Sequence, residues 1–375
     1  MMIKGTDNHR RGFVTPREYA AELARRIESP RGRLLVASCR SGSLLARKVF
    51  ERYEDWVSET DGGEGITYLA DIDFQLSDGE TCVRLESDVN GHDVFLFQAF
   101  YDPISGRSVD ENYLAFLIAA RAFCEWGANQ VTGVLPYLAY ARQDKPTKFK
   151  REPTTAELMA DLSIEAGLHR LVVWDPPTGL IHGFYGSVRV DGLSPLALFT
   201  ERFRQYELRD DVIAVAPDAG ASKFIMHFAR ALGISSAIAS KYRPRPEKAE
   251  VSEIMGDFGG KRIAIVLDDM INTGGTVEAT VEKLIEEKGV EEVHLGVSHN
   301  LCTQQAFERL SSLHDRCYLR DVTVTDSVPQ TEAFRGLPFL AVRSLADPLC
   351  LVINRIHYNR PVDGIFAKSL VTGEG

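Results

Sequence analysis

Two adjacent carboxylates followed by small and hydroxyl residues are the most chemically suggestive feature of this chain. They lie in IAIVLDDMINTGGT, from Ile263 to Thr276. Asp268 and Asp269 suit hydrogen bonds from a sugar diol, while Thr273, Gly274, Gly275 and Thr276 offer backbone N–H groups and two hydroxyls. A turn of that composition opening a helix makes an anion site, so the pair and the turn together fit a ribose ring carrying a 5-phosphate. The run Ile263 to Leu267 is short and β-branched, as a central parallel strand covered on both faces should be. Open α/β sheets place their ligands at the C-terminal ends of such strands.

Three further segments carry charge in useful places. Between Leu135 and Leu158 an apolar strand becomes a loop with Arg142, Lys145, Lys148, Lys150 and Arg151, joined by Gln143 and Asp144. Such a loop either holds a polyphosphate and a base edge or is simply solvated. VAPDAGASKF brings Asp218 to a strand end, either as a ribose or metal contact or as a cap for the next helix. SKYRPRP sets Lys241, Arg243 and Arg245 on a polar segment. Cations on a mobile loop can neutralise charge developing on a transferring phosphoryl group; the alternative is an exposed basic linker. The turn at Asp78-Gly79, followed by a strand, is by itself a hairpin signal.

The elements that must position these residues alternate strand and helix. A polar, basic head precedes Thr15-Pro16-Arg17-Glu18, a capping-box pattern that opens a short helix through Tyr19, Leu23 and Ile27. From Leu34, strands at LLVAS, VFLFQ, VTGVLPYL and RLVVWD alternate with helices at Leu44–Tyr53, Leu114–Trp126 and Thr154–Ala166. A second series has strands at Val212–Ala216, Ala237–Ala239, Ile263–Leu267, Val293–Ser298 and Leu319–Val324. This pattern predicts an α/β protein with two doubly wound, mostly parallel sheets meeting near residue 187.

Composition narrows the class. The 375 residues are 44% hydrophobic and 26% charged, as expected of a globular chain of two domains. A net charge of −10 argues against a general nucleic-acid binder. Cys39, Cys82, Cys124, Cys302, Cys317 and Cys350 show neither CxxC nor metal-ligand spacing, so they read as reduced thiols. No apolar run approaches a membrane span, and the head lacks a signal-peptide core. The expectation is a cytoplasmic enzyme with no nucleic-acid or membrane partner.

Taken in order, PYLAYARQDK, REPTTAELMADL, HGFYGSVRVDGLSP, VAPDAG, SKYRPRP and VLDDMINTGGT resemble the ribose-phosphate pyrophosphokinase (PRPP synthase) family, over roughly Leu34 to Phe366. DDxxTGGT alone also fits a phosphoribosyltransferase; ARQDK and KYRPRP favour the synthase. The resemblance implies a phosphoribosyltransferase-like fold, with an extension at 1–33, an ATP-side domain at 34–187, a ribose-phosphate domain at 188–345 and a C-terminal helix and tail at 346–375. It implies a homo-oligomer, dimer-based and commonly a hexamer. The implied reaction moves the β,γ-pyrophosphoryl group of Mg-ATP onto the anomeric hydroxyl of ribose 5-phosphate, giving PRPP and AMP. By motif, Asp268 and Asp269 hold the ribose hydroxyls and Thr273, Gly274, Gly275 and Thr276 the 5-phosphate, with Asn272 in the same loop. Arg142 and Gln143 contact ATP, Asp78 and Glu80 reach the adenine of a neighbouring subunit, and Lys241 and Arg243 stabilise the transition state. Asp218, with Asp175, attends Mg²⁺.

The chain also departs from the family's pattern. Asp175-Pro176-Pro177 replaces Asp-Leu-His, removing an imidazole that contacts Mg-ATP, and His182 aligns with a family Gln. Ala221 stands where a second Gly is common, Asn272 replaces an Asp, and Leu76 replaces an adenine-stacking aromatic for which Phe74 is a nearby substitute. These changes leave two alternatives to ribose 5-phosphate transfer. One is the same chemistry on another ribosyl acceptor such as ADP-ribose; the other is a catalytically weak nucleotide-binding regulator of a true synthase.

Overall fold

The computed structural model describes residues 29–59, 66–245 and 248–362, with backbone alone at 241–245 and 248–252. The helix expected between Thr15 and Ile27 lies outside the described residues.

The first half is built on β1 (Arg33–Ser38), whose RLLVAS sequence is buried from Leu34 onward. A 3-10 turn leads into α1 (Ser43–Ser58), which buries Leu45, Ala46, Val49 and Tyr53. Then come β2 (Thr67–Leu69), β3 (Asp73–Gln75), β4 (Thr81–Val83) and β5 (His92–Phe97). Helix α2 (Val109–Glu125) starts at a complete capping box: Ser108 receives the Glu111 N–H, and the Glu111 side chain receives the Ser108 N–H. β6 (Gln130–Leu135), α3 (Thr155–Glu165), β7 (Arg170–Trp174), α4 (Ile181–Phe184) and β8 (Arg189–Leu193) complete the half. The sheet order is β2-β1-β5-β6-β7-β8, with every pair parallel. β3 and β4 form a separate antiparallel hairpin.

The second half runs through α5 (Leu196–Arg202), β9 (Val212–Ala216), α6 (Ser222–Leu232), β10 (Ser235–Arg245), β11 (Lys248–Met255), β12 (Ile263–Ile271) and α7 (Gly275–Glu286). It ends with β13 (Glu292–Asn300), α8 (Gln304–Asp315), β14 (Leu319–Thr325), α9 (Glu332–Arg335), β15 (Leu340–Arg343) and α10 (Ala346–His357). Its sheet order is β11-β10-β9-β12-β13-β14-β15, parallel except for the β10–β11 ribbon. The α/β class with parallel sheets is therefore as the alternating pattern predicts. β2, β8, β11 and β15 were not anticipated. β2 and β15 are short edge strands, and the burial of β15 runs from half-buried Leu340 to exposed Arg343, so neither carries a core-strand pattern. β8 is interrupted by Asp191 and Gly192.

Two features tie the halves together. The first sheet extends to Leu193, past residue 187, and α10 crosses back from the end of the chain to pack on α1. Leu349, Cys350, Val352, Ile353 and Ile356 share a buried cluster with Val36, Leu45, Val49 and Phe95. In the other direction, Leu301 and Val328 of the second half join the first half's core beside Leu135 and Tyr137. The Tyr137 and His299 rings meet edge-on at 5.2 Å, and Lys48 Nζ lies 2.8 Å from Asp326.

Candidate active site

β12 continues four residues past Leu267, so Asp268 and Asp269 stand inside the strand rather than after it. Both are half-buried, and the Asp269 N–H donates to Asp268 Oδ1 at 3.0 Å. Burial, with the nearby Asp218 carboxylate, pushes the Asp269 carboxyl above its usual range; hydrogen bonding with the Asp268 side chain, the Met270 N–H and the charge of Arg142 oppose the rise. Asp218 and Arg142, drawn from different elements in the two halves, thus both act on Asp269. Asp218 shapes the β9–α6 turn, its Oδ1 accepting from Gly220 N–H at 2.9 Å and Ala221 N–H at 3.4 Å. It is not the helix cap, since Ala221 occupies that position of α6.

Beyond Ile271 the chain turns through exposed Asn272 and Thr273 to Gly274, which caps α7 with φ +77°. That angle lies in the left-handed region glycine tolerates. No side chain caps α7, so its first-turn N–H groups face the site without intrahelical partners. An anion set there also gains from the helix dipole.

Arg142 and Gln143 follow the left-handed Tyr140 on the loop after β6. Arg142 is exposed, and its charge opposes the burial-driven rise of Tyr137. Gln143 is tied to the start of α3: Thr155 Oγ1 donates to its Oε1 at 2.7 Å and Ala156 N–H to its carbonyl at 3.2 Å. Asp78 and Glu80 sit exposed on the β3–β4 turn, where Glu80 N–H donates to Asp78 Oδ1 at 3.1 Å, in a separate sheet from either main one.

Lys241 and Arg243 fall on β10, and their side chains lie outside the described residues. The expected loop is here an antiparallel ribbon, with a register shift between Ser240 and Lys241. β10 pairs with β9 only as far as Ile238 opposite Ala216, so residues 239–245 project past the C-terminal end of β9. At about 3.3 Å per residue that projection spans roughly 20 Å, on the side of the sheet where Asp218 and Asp268 lie. An edge ribbon needs few apolar positions, which is why its sequence reads as a loop.

Asp175 is half-buried, at φ +43°, and bridges the halves. Its Oδ2 accepts from Ser298 Oγ at 2.5 Å, and its carbonyl lies 3.2 Å from His299 Nε2. Because a carbonyl only accepts, Nε2 carries the proton; burial lowers the His299 pKa to about 4 and keeps the ring neutral. Burial raises the Asp175 pKa from 3.8 to about 7, helped by Asp269 and opposed by Ser298. Between these values the unfolded chain binds fewer protons at Asp175 than the folded one, so the contribution of Asp175 to stability falls as pH rises from about 4 to 7 and then levels off. Asp175→Asn abolishes that slope. In urea unfolding its advantage over the parent should grow between pH 5 and pH 8, reaching on the order of 2–4 kcal/mol. A pH-independent difference would refute the buried titration.

Ser298 and His299 were missed in the sequence, although a polar Ser-His-Asn following Leu295-Gly296-Val297 marks a strand's C-terminal end facing a ligand crevice. Among the described residues no group of three or more His, Cys, Asp or Glu is placed to hold a metal ion. Asp218 and Asp269 fit Mg²⁺ as an open pair of hard oxygen donors, to be completed by phosphate oxygens and water. Asp175, with Oδ2 engaged by Ser298, fits that role poorly. No helix among the described residues is long and apolar enough to cross a membrane.

Residues 34–167 match the N-terminal domain of ribose phosphate pyrophosphokinase, and residues 197–313 match the phosphoribosyl transferase domain. The ribose-phosphate pyrophosphokinase of Caldanaerobacter subterraneus subsp. tengcongensis is 36% identical over 299 residues, covering 80% of this chain and 90% of that protein. The Clostridium acetobutylicum protein of the same name is 36% identical over 295 residues, covering 78% and 88%. The crystal structure of phosphoribosylpyrophosphate synthetase from Mycobacterium smegmatis superposes with a TM-score of 0.74 at 30% identity, covering 87% of this chain and 99% of that one.

Proposed function

The chain belongs to the ribose-phosphate pyrophosphokinase family, a class of transferase enzymes, and on that premise we propose that it moves the β,γ-pyrophosphoryl group of Mg-ATP onto the anomeric hydroxyl of ribose 5-phosphate. PRPP and AMP are the products. The observation that carries this reading is the seam itself, where Asp268 and Asp269 stand near the end of one strand before an uncapped helix N-terminus and Asp269 feels the charges of Asp218 and Arg142.

In this reading the ribose hydroxyls donate to Asp268 and Asp269, and the 5-phosphate accepts from the N–H groups and hydroxyls of Thr273 to Thr276. Arg142 and Gln143 hold ATP, with Gln143 kept in place by Thr155. Asp78 and Glu80, exposed on their hairpin, serve a neighbouring subunit's adenine in a homo-oligomer. Lys241 and Arg243, on the β10 segment that runs past β9, stabilise the transition state. Mg²⁺, held by Asp218 and Asp269, supplies charge neutralisation on the phosphates. The protein's own part is alignment and charge, the main contributions available in phosphoryl transfer.

The test is incubation with Mg-ATP and either ribose 5-phosphate or ADP-ribose, with AMP and the pyrophosphorylated product followed by mass spectrometry. AMP with ribose 5-phosphate alone supports the proposal. Turnover of ADP-ribose alone would transfer the same chemistry to that acceptor, consistent with Asn272 and Ala221 remodelling the pocket; AMP with neither would favour a regulatory homologue. Asp268→Ala should raise KM for the sugar phosphate roughly tenfold or more by removing a charged acceptor. Unchanged acceptor affinity would sink the role of Asp268.

A further inference from the structure

The loop from Asn272 to Gly275 lies against one helix, and three successive carbonyls are held from that side. Ile271 O accepts from Leu301 N–H at 2.9 Å, Asn272 O from Thr303 Oγ1 at 2.5 Å, and Thr273 O from Arg309 Nη1 at 2.7 Å. Neither side-chain donor is free to swing. Thr303 is the N-cap of α8, and its hydroxyl also accepts from Ala306 N–H at 3.2 Å. Arg309 Nε is 2.9 Å from Glu278 Oε2, on the first turn of α7. The back of the loop is closely packed as well. A Cβ on Gly274 would lie 3.4 Å from Ala306 Cα, and one on Gly275 3.3 Å from Arg309 Nη1.

In a trans peptide the N–H points opposite to the C=O of the same plane, and the described residues contain no cis bond. Holding the carbonyls of Asn272 and Thr273 toward α8 therefore turns the N–H groups of Thr273 and Gly274 away from it, to the open side beside the first turn of α7. We propose that Thr303 and Arg309 are positioning residues for the acceptor's phosphate, fixing the 272–273 and 273–274 peptide planes so that their N–H groups are set before the ligand arrives. The inference rests on the proposed function for the identity of that phosphate. Pre-set donors bind without an ordering cost, and a loop free to rotate its peptides would lose that advantage. Glu278 holds the guanidinium on the carbonyl, so Arg309 acts on the loop from behind.

Kinetics on the full chain test this. Arg309→Met keeps the apolar stem and removes the donors, and should raise KM for ribose 5-phosphate roughly tenfold with kcat and KM for ATP within about twofold. Arg309→Lys, which keeps a donor, should recover most of the loss, and Thr303→Val should shift the same KM. Both substrates' KM values rising together, or an unchanged ribose 5-phosphate KM in both Arg309→Met and Thr303→Val, would overturn the role. Calorimetry with inorganic phosphate separates this inference from the choice of acceptor, because it needs no turnover. Equal phosphate affinity in the parent and Arg309→Met, or none in the parent, overturns the positioning role. A parent that turns over neither acceptor but loses phosphate affinity on Arg309→Met refutes the proposed function and leaves the positioning role supported.

Discussion

Lys241→Ala should lower kcat by roughly 10²–10³-fold while leaving KM for ATP nearly unchanged, because a cation that acts on charge developing in transfer contributes to the transition state rather than to the ground state. The topology supports a role at that stage. Residues 239–245 extend β10 beyond β9, and past Ile238 its strand partner is β11. Movement of a two-stranded ribbon that projects past its sheet can be coupled to catalysis. Arg243→Ala should act in the same direction, and the double variant should fall short of the product of the single effects if the two cations serve one transition state. Equal loss of ATP affinity and turnover in Lys241→Ala would place the residue in nucleotide binding instead. The measurement is steady-state kinetics with each substrate varied, supported by direct ATP titration.

Ile353→Ala should destabilise the protein by about 2–5 kcal/mol, the range for emptying a buried aliphatic site. Ile353 is fully buried on α10 and shares a cluster with Leu45 and Val49 of α1 and with Phe95 of β5. Polar contacts fix the same helix to the first half. Asn354 Nδ2 donates to the Tyr53 hydroxyl at 2.9 Å, and His357 Nδ1 lies 2.9 Å from buried Asp93 Oδ2, which Arg31 Nε also approaches at 2.9 Å. Trp56, Trp126 and Trp174 all lie in the first half, so urea unfolding followed by tryptophan fluorescence reports on that half. Its midpoint should shift although the substitution lies more than 150 residues beyond β8. An unmoved fluorescence transition, with loss of structure only around β12 and β13, would show that α10 stabilises the second half instead.

The central strands were legible because β9 and β12 are apolar along most of their length, β13 carries Val293, Leu295 and Val297, and all three sit between neighbours on both sides. Asp268, Asp269 and the Gly274 turn were legible because few other arrangements place two carboxylates and a Thr-Gly-Gly-Thr run after such a strand. What sequence could not convey is reciprocity between distant segments. Asp175 reads as the end of a strand, and only its meeting with Ser298, 123 residues away, makes it a buried bridge between halves. Arg309 looks like an ordinary helix-face cation; contact with Thr273 O gives it a place behind the turn that opens α7. The β10–β11 ribbon stayed hidden for another reason, since the polar, proline-broken run SKYRPRPEKAE has no hydrophobic period to detect.

The return of α10 has a consequence during synthesis. β1, β5 and α1 emerge early from the ribosome, but the cluster they form with Leu349, Val352, Ile353 and Ile356 cannot close until the chain has been made through the second half. At about 5–20 residues per second, the interval between β8 and α10 lasts on the order of ten to thirty seconds. During it, Leu45, Val49 and their neighbours present an uncovered apolar face in a nascent chain whose first sheet is otherwise complete. That interval is the period in which a chaperone would have the most to hold, and an amber stop just before Ala346 would make it permanent.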